Sequence, residues 1–245
     1  MARYEYRALL SFDIAGSANR GELRLQEIRG ALRTALTDAL DAGGGPGARD
    51  FTHVDTGDGC LLVAPPLLPK AALLTPLLPE LAARIRGHNR RATPGTRLRV
   101  RAAVHAGEIR LDPDGTVSGA PFEALARLLD SAPLREAVEA GTEGTPVTAI
   151  LSPHFYEETV GHGHEGLDAD AFTAVDVRVK EYAARAWLWY PGSPVGPRSG
   201  ENTGSDHQPA DPLPGTVEQF VQATGHGTAF AVHRGNQYIR HDDRG

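Results

Sequence analysis

Apolar positions along the first 190 residues switch repeatedly between period 2 and period 3.6, and each switch predicts an element boundary. Tyr4 to Asp13 reads as a strand. Its apolar run Ala8-Leu9-Leu10-Ser11-Phe12 stops at Asp13, and the small-residue turn Ile14-Ala15-Gly16-Ser17 follows. From Gly21 to Ala42, Leu25, Ile28, Leu32, Leu36 and Leu40 recur at helical spacing, and a glycine run at Gly43 ends the pattern. Phe51 to Asp55 alternates, Cys60 to Ala64 is an apolar run, and Gly57-Asp58-Gly59 between them predicts a hairpin tip closed off by Pro65-Pro66. A second amphipathic helix is predicted from Ala71 to Asn89. It ends in the basic cluster Arg84, Arg86, Arg90 and Arg91, the composition of a solvated helix C-terminus favoured by the helix dipole.

Leu98 to Leu111 has the character of a long strand, with Gly107 predicting a kink or bulge. A turn follows at Asp112-Pro113-Asp114-Gly115, and then a helix from Gly119 to Leu129 that carries Glu123 and Arg127 one turn apart. Strands are predicted at Val147–Leu151, Phe172–Val179 and Ala184–Tyr190, with a short helix from Ser152 to Val160 between the first two. Helices interleaved with paired strands in this order predict an α+β fold, a ferredoxin-like βαββαβ core with extra C-terminal strands, over residues 1–190. The stretch 191–215 is rich in Pro, Gly, Ser and Asn and reads as a flexible linker. Residues 216–245 form a short tail with a possible hairpin, suited to pairing with a partner protein.

Composition narrows the function. A net charge of −6 leaves no basic footprint for nucleic acid and no polybasic surface for anionic membranes. The single cysteine, Cys60, excludes an intramolecular disulfide and fits a reducing, cytoplasmic location. No apolar window reaches the length of a membrane span. Spacing supports no Ser/His/Asp or Cys/His nucleophile arrangement. The loop Gly161-His162-Gly163-His164-Glu165, with His154 nearby, has zinc-ligand residue types but glycine-rich mobility and no cysteine to complete a tetrahedral set. His105, on an apolar strand, reads as a satisfied core or sheet-edge histidine.

Two carboxylates stand out, Asp13 at the end of the first strand and Asp58 between two glycines at the hairpin tip. A carboxylate in the second setting either caps the turn or faces a ligand. If the first strand pairs with the hairpin, both converge at one edge of the sheet, an arrangement that holds hard cations together with substrate phosphates.

In order and spacing, the motifs resemble those of the class III nucleotidyl (adenylate/guanylate) cyclase catalytic domain over about residues 4 to 190. Phe12-Asp13-Ile14-Ala15-Gly16-Ser17 is similar to that family's Phe-x-Asp-Ile-x-Gly-Phe-Ser segment, and Gly57-Asp58-Gly59 to its Gly-Asp-Gly hairpin. Arg101 to Ile109 resembles its Arg-Val-Gly-Ile-His-x-Gly-x-Val strand. Gly119 to Leu128 resembles its Gly-x-x-x-Asn-x-Ala-x-Arg-Leu helix, and Val177–Lys180 to Trp189 its closing strand pair.

The resemblance implies that Asp13, Asp58 and the Ile14 carbonyl hold two Mg²⁺ or Mn²⁺ ions, and that Arg127 stabilises transition-state charge. It also implies that Lys180 contacts phosphate, that a nucleoside triphosphate is cyclised with release of pyrophosphate, and that a homodimer shares its sites between chains. Three positions depart from the pattern. Glu123 replaces the ribose-orienting asparagine, while Val54 and Thr116 occupy the base-reading positions. These departures frame the alternative, a degenerate cyclase-fold nucleotide-binding or adaptor module acting through its tail.

Overall fold

The computed structural model describes residues 2–193 apart from Asn19, Gly44 and Asp58, with Asp55 described by its backbone only. The tail and the linker beyond Ser193 lie outside the described residues, as does Asp58. In chain order the elements are β1 (Arg3–Ile14), α1 (Glu22–Ala42), β2 (Thr52–Asp55), β3 (Gly59–Val63), α2 (Leu77–Asn89), β4 (Val100–Leu111) and β5 (Val117–Ser118). They continue with α3 (Ala120–Leu129), α4 (Ala132–Ala140), β6 (Val147–Leu151), α5 (Pro153–Glu158), β7 (Thr173–Val179) and β8 (Tyr182–Trp189). The strands form one 8-stranded sheet in the order β2-β3-β1-β4-β6-β8-β7, with β5 paired to β4. This is the expected α+β class. β4 and β6 run parallel, and the other ladders are antiparallel.

Period 2 in β1 divides the core in two. Ala8, Leu10, Phe12 and Ile14 join Ile28, Leu32 and Leu36 of α1 and Leu78, Leu81 and Ile85 of α2 on one face. Leu9 joins Leu125 and Leu128 of α3 and Leu134 of α4 on the other. Helices thus cover the sheet from both sides, because strand neighbours point to opposite faces. Burying a side chain such as Leu9 or Phe12, each at 0% exposure, contributes roughly 2 kcal/mol.

The structure corrects several expectations. The helix expected over Ala71–Asn89 is two pieces, a 3₁₀ turn at Lys70–Leu73 and α2 from Leu77, separated at Pro76. Proline lacks the N–H that a continuous helix needs, and it pushes the preceding Thr75 out of helical geometry. Gly107 makes no bulge, since β1 and β4 pair residue for residue from Arg3↔Leu111 to Ile14↔Val100, with Arg7 opposite Gly107. Its reason is steric: a Cβ there would lie 2.6 Å from Cγ of Pro121 at the start of α3. Two elements had no counterpart in the sequence reading. The two-residue β5 is too short to carry a period, and the buried stripe of α4, Leu134, Ala137 and Val138, is partly alanine.

Because the Gly107–Pro121 contact sets how closely α3 packs on β4, Gly107→Ala should cost about 1–3 kcal/mol, read as a melting temperature lower by several degrees. The double variant Gly107→Ala/Pro121→Ala should recover part of that loss. Additive losses in a double-mutant cycle would mean that the contact does not set the spacing.

Candidate active site

Backbone register lines up Gly59 of β3, Asp13 of β1, Arg101 of β4 and Thr148 of β6 as one row across the sheet. The hairpin reaches this row because of its glycines. A Cβ on Gly59 would lie 1.8 Å from the Phe12 carbonyl oxygen and 3.0 Å from Asp13 Cα, so only glycine lets β3 lie so close to the end of β1. Gly57 has φ +92°, a backbone state that L side chains rarely adopt. Asp58, between these glycines in sequence, is outside the described residues.

Asp13 is 8% exposed, and one of its oxygens, Oδ2, forms an ion pair with Arg101. The other, Oδ1, is buried with no hydrogen-bond partner in the described structure, and so is Nε of Arg101. Buried acceptors are rarely left unpaired, since desolvation without a new bond costs about 1–3 kcal/mol. Burial pulls the Arg101 pKa below the ordinary arginine value, Asp130 opposes that shift, and Arg135 adds to it. Arg101 therefore holds the carboxylate in place, while Oδ1 is buried without a partner among the described residues. An orphaned carboxylate oxygen fits a metal-ligand role for Asp13, with the Ile14 carbonyl next to it in the chain. Among the described residues no group of three or more His, Cys, Asp or Glu side chains stands ready to hold a metal on its own.

The turn after β1 is held by a residue that the sequence reading passed over. Arg20 donates to the carbonyls of Gly16 at 3.0 Å, Ala15 at 3.2 Å and Arg97 at 2.6 Å, fixing the loop that leaves Asp13. Nothing in its local sequence signals this. Arg101 was legible in principle, since antiparallel pairing of β1 with β4 sets it opposite Asp13.

The other expected site residues are more scattered within one chain. Val54 pairs with Leu61 near the hairpin tip and is 37% exposed. Glu123 is exposed and Arg127 half-buried on α3, with no ion pair between them. Thr116 closes the β4–β5 turn, where its N–H donates to Asp114 Oδ1 at 2.9 Å. That turn follows the far end of β4 from Arg101, about 34 Å along the strand at the usual rise. Lys180 is exposed at the β7–β8 turn with φ 54°. A single chain therefore assembles the Asp13 row and leaves Thr116 remote from it.

At the opposite end of β1, Tyr6 bonds both His154 and Glu158, and Lys70 pairs with Glu158 while lying 4.8 Å from the Tyr6 ring centre. Behind them His105 Nδ1 meets Ser152 Oγ at 2.8 Å, and Ser152 caps α5 by accepting from the Phe155 N–H. His105 is thus a bonded, half-buried sheet histidine. Burial, reinforced by the neighbouring charge of His154, lowers its pKa to about 4.

Solved structures share the fold of this chain. No family model matches the chain, and no curated protein matches it in sequence. An adenylate/guanylate cyclase/hydrolase from Silicibacter pomeroyi is similar in structure at TM-score 0.56 and 22% identity, covering 78% of this chain and 99% of that one. The guanylyl cyclase Cya2 matches at TM-score 0.52 and 16% identity, covering 77% and 92%. The catalytic core of a rhodopsin-guanylyl cyclase with converted specificity, solved in complex with ATPαS, matches at TM-score 0.50 and 14% identity, covering 77% and 97%. The chain has the fold of class III adenylate/guanylate cyclase catalytic domains. None of the described helices is long and apolar enough to cross a membrane.

A depressed histidine pKa favours the neutral, folded form, so the His105 contribution is complete above the unfolded value near 6.5 and fades as pH falls toward 4. Melting temperature should fall over that window in the parent protein and fall less steeply in His105→Gln. Parallel pH profiles for the two proteins would show that His105 stays as solvated as in the unfolded chain.

Proposed function

We propose that the chain is a nucleotidyl cyclase domain that converts a nucleoside triphosphate into a 3′,5′-cyclic nucleotide and pyrophosphate. The observation that carries this reading is Asp13, a buried carboxylate at a strand end, steadied by Arg101 on one oxygen and left without a described partner on the other, within a cyclase fold. In the reaction the ribose 3′-oxygen attacks the α-phosphorus, the bond from that phosphorus to the bridging oxygen of pyrophosphate breaks, and the hydroxyl proton is released.

Asp13, Asp58 and the Ile14 carbonyl are the groups that would hold two Mg²⁺ or Mn²⁺ ions. When bound, such ions supply Lewis acidity toward the 3′-hydroxyl and neutralise triphosphate charge. Arg101 fixes the Asp13 carboxylate, so its other oxygen need not reorganise when substrate arrives. Arg20 fixes the carbonyls of the turn that leaves Asp13. Arg127 offers an always-charged donor fork for the charge that grows on the α-phosphoryl oxygens, and Lys180 a point charge for phosphate. Glu123, one turn before Arg127, accepts from a ribose hydroxyl where an amide could also donate. Val54 and Thr116 offer the base little polar discrimination, so selection among bases should be weak.

Thr116 is remote from Asp13 within one chain, which supports a homodimer in which each site draws metal ligands from one protomer and Arg127 from the other.

Incubation with ATP, GTP, CTP and UTP plus Mn²⁺ should yield a cyclic monophosphate by mass spectrometry, with matching pyrophosphate, and Asp13→Ala should abolish it. Absence of product from all four in a folded protein would refute the activity. Arg127→Ala should lower kcat by about 10²–10³-fold. Mixing inactive Asp58→Ala and Arg127→Ala chains should restore turnover at one site per heterodimer. A mixture that forms dimers yet stays inactive would rule out shared sites.

A further inference from the structure

A second cavity lies on the other face of the sheet, between α1 and the β2–β3 hairpin, with a volume of about 440 Å³. Its walls include Arg29 and Arg33 of α1 and Arg49, and its apolar lining includes Leu32, Leu36 and Cys60. Cys60 packs with the α1-side core, whereas Asp13 lies on the face that carries Leu9, so the cavity and the Asp13 carboxylate are on opposite faces of the sheet, with Gly59 and Val54 among the residues that line the cavity.

Arg29 is half-buried, whereas Arg33 and Arg49 are exposed. None of the three arginines makes an ion pair or a side-chain hydrogen bond among the described residues, and Nε of Arg29 is buried with no partner. Arg29 and Arg33 are four residues apart on one helix, a like-charge spacing that destabilises the helix. Guanidinium forks near an apolar floor lower their energy most by pairing with a planar or tetrahedral oxyanion. The rest of the lining is mixed, with Leu32, Leu36, Ala48 and Val54 beside the polar Thr37 and His53, and its aliphatic part gains from an apolar body. The size is that of a small-molecule site.

We infer that this cavity binds an amphipathic organic anion, a carboxylate or phosphate head on an apolar body, with the head held by Arg29, Arg33 and Arg49 and the body seated against Leu32, Leu36 and Cys60. Gly57 and Gly59 of the hairpin are also among the residues that line the cavity. Val54, assigned above to a base-reading position, also lines this cavity, so the titrations below are run without nucleotide or metal and the two readings fail separately.

The test is calorimetric titration of the full chain with decanoate, decyl phosphate and decanol, all below their micelle concentrations. One saturable site should appear for at least one anion, with decanol weaker by about tenfold or more, the loss expected when charge-assisted hydrogen bonds are removed. The stronger of the two anions identifies the head group. Arg29→Gln/Arg33→Gln should lose about tenfold or more while melting like the parent protein, and Arg49→Gln should lose less than the pair. Arg84→Gln is the control, because Arg84 lies on α2 and pairs with Asp38 and Glu80. Absence of binding by either anion, decanol binding as tightly as they do, or undiminished binding in the folded double variant would each overturn the assignment.

Discussion

The antiparallel ladder between β1 and β4 is the constraint on which the rest of the structure depends. It runs unbroken from Arg3↔Leu111 to Ile14↔Val100, so each side chain of β1 is committed to one face of the sheet by its number alone. That commitment packs Leu10 and Phe12 under α1 and α2, and Leu9 under α3 and α4. It also turns Asp13 onto the same side as Arg101. A slip of one residue would leave the carboxylate in the wrong core with no cation opposite it, at a cost of several kcal/mol.

From that pairing follows the division of labour between the faces. On one side of the hairpin, Gly59 presses against the end of β1 and brings β3 up to the Asp13 row. On the other side, the same hairpin forms a wall of the cavity beneath α1. The hairpin strands therefore border two environments of different character, a buried carboxylate held by an arginine and a cavity with three arginines among its lining residues. Polar groups are left without partners in both, Oδ1 of Asp13 and Nε of Arg29.

Much of the fold was legible because its period is strong. The run that stops at Asp13, the leucines of α1 and the glycine-flanked hairpin each predicted an element of the right kind, and the α+β class followed from their order. What was not legible depended on contacts between elements. Gly107 looked like a bulge, yet it is a glycine because Pro121 of a later helix packs on it. The stripe of α4, Leu134, Ala137 and Val138, spans little more than one turn and gives a faint helical signal, and Pro76 divides what periodicity alone reads as one helix. At the site, Asp13 was readable from its position at a strand end. Its bond to Arg101 needed the register, and the grip of Arg20 on three loop carbonyls needed the tertiary structure.

On the proposed mechanism, Asp13 offers one oxygen to a divalent cation while Arg101 holds the other. The most direct measurement is Mn²⁺ binding followed by electron paramagnetic resonance, with a non-cyclisable nucleoside triphosphate analogue present, in the parent protein and in Asp13→Asn. The account predicts saturable Mn²⁺ binding in the parent protein, weakened by about tenfold or more in the variant, as expected when a ligand carboxylate loses its charge. Equal Mn²⁺ affinity in the two folded proteins would contradict it, and would leave Asp13 as a structural partner of Arg101 alone.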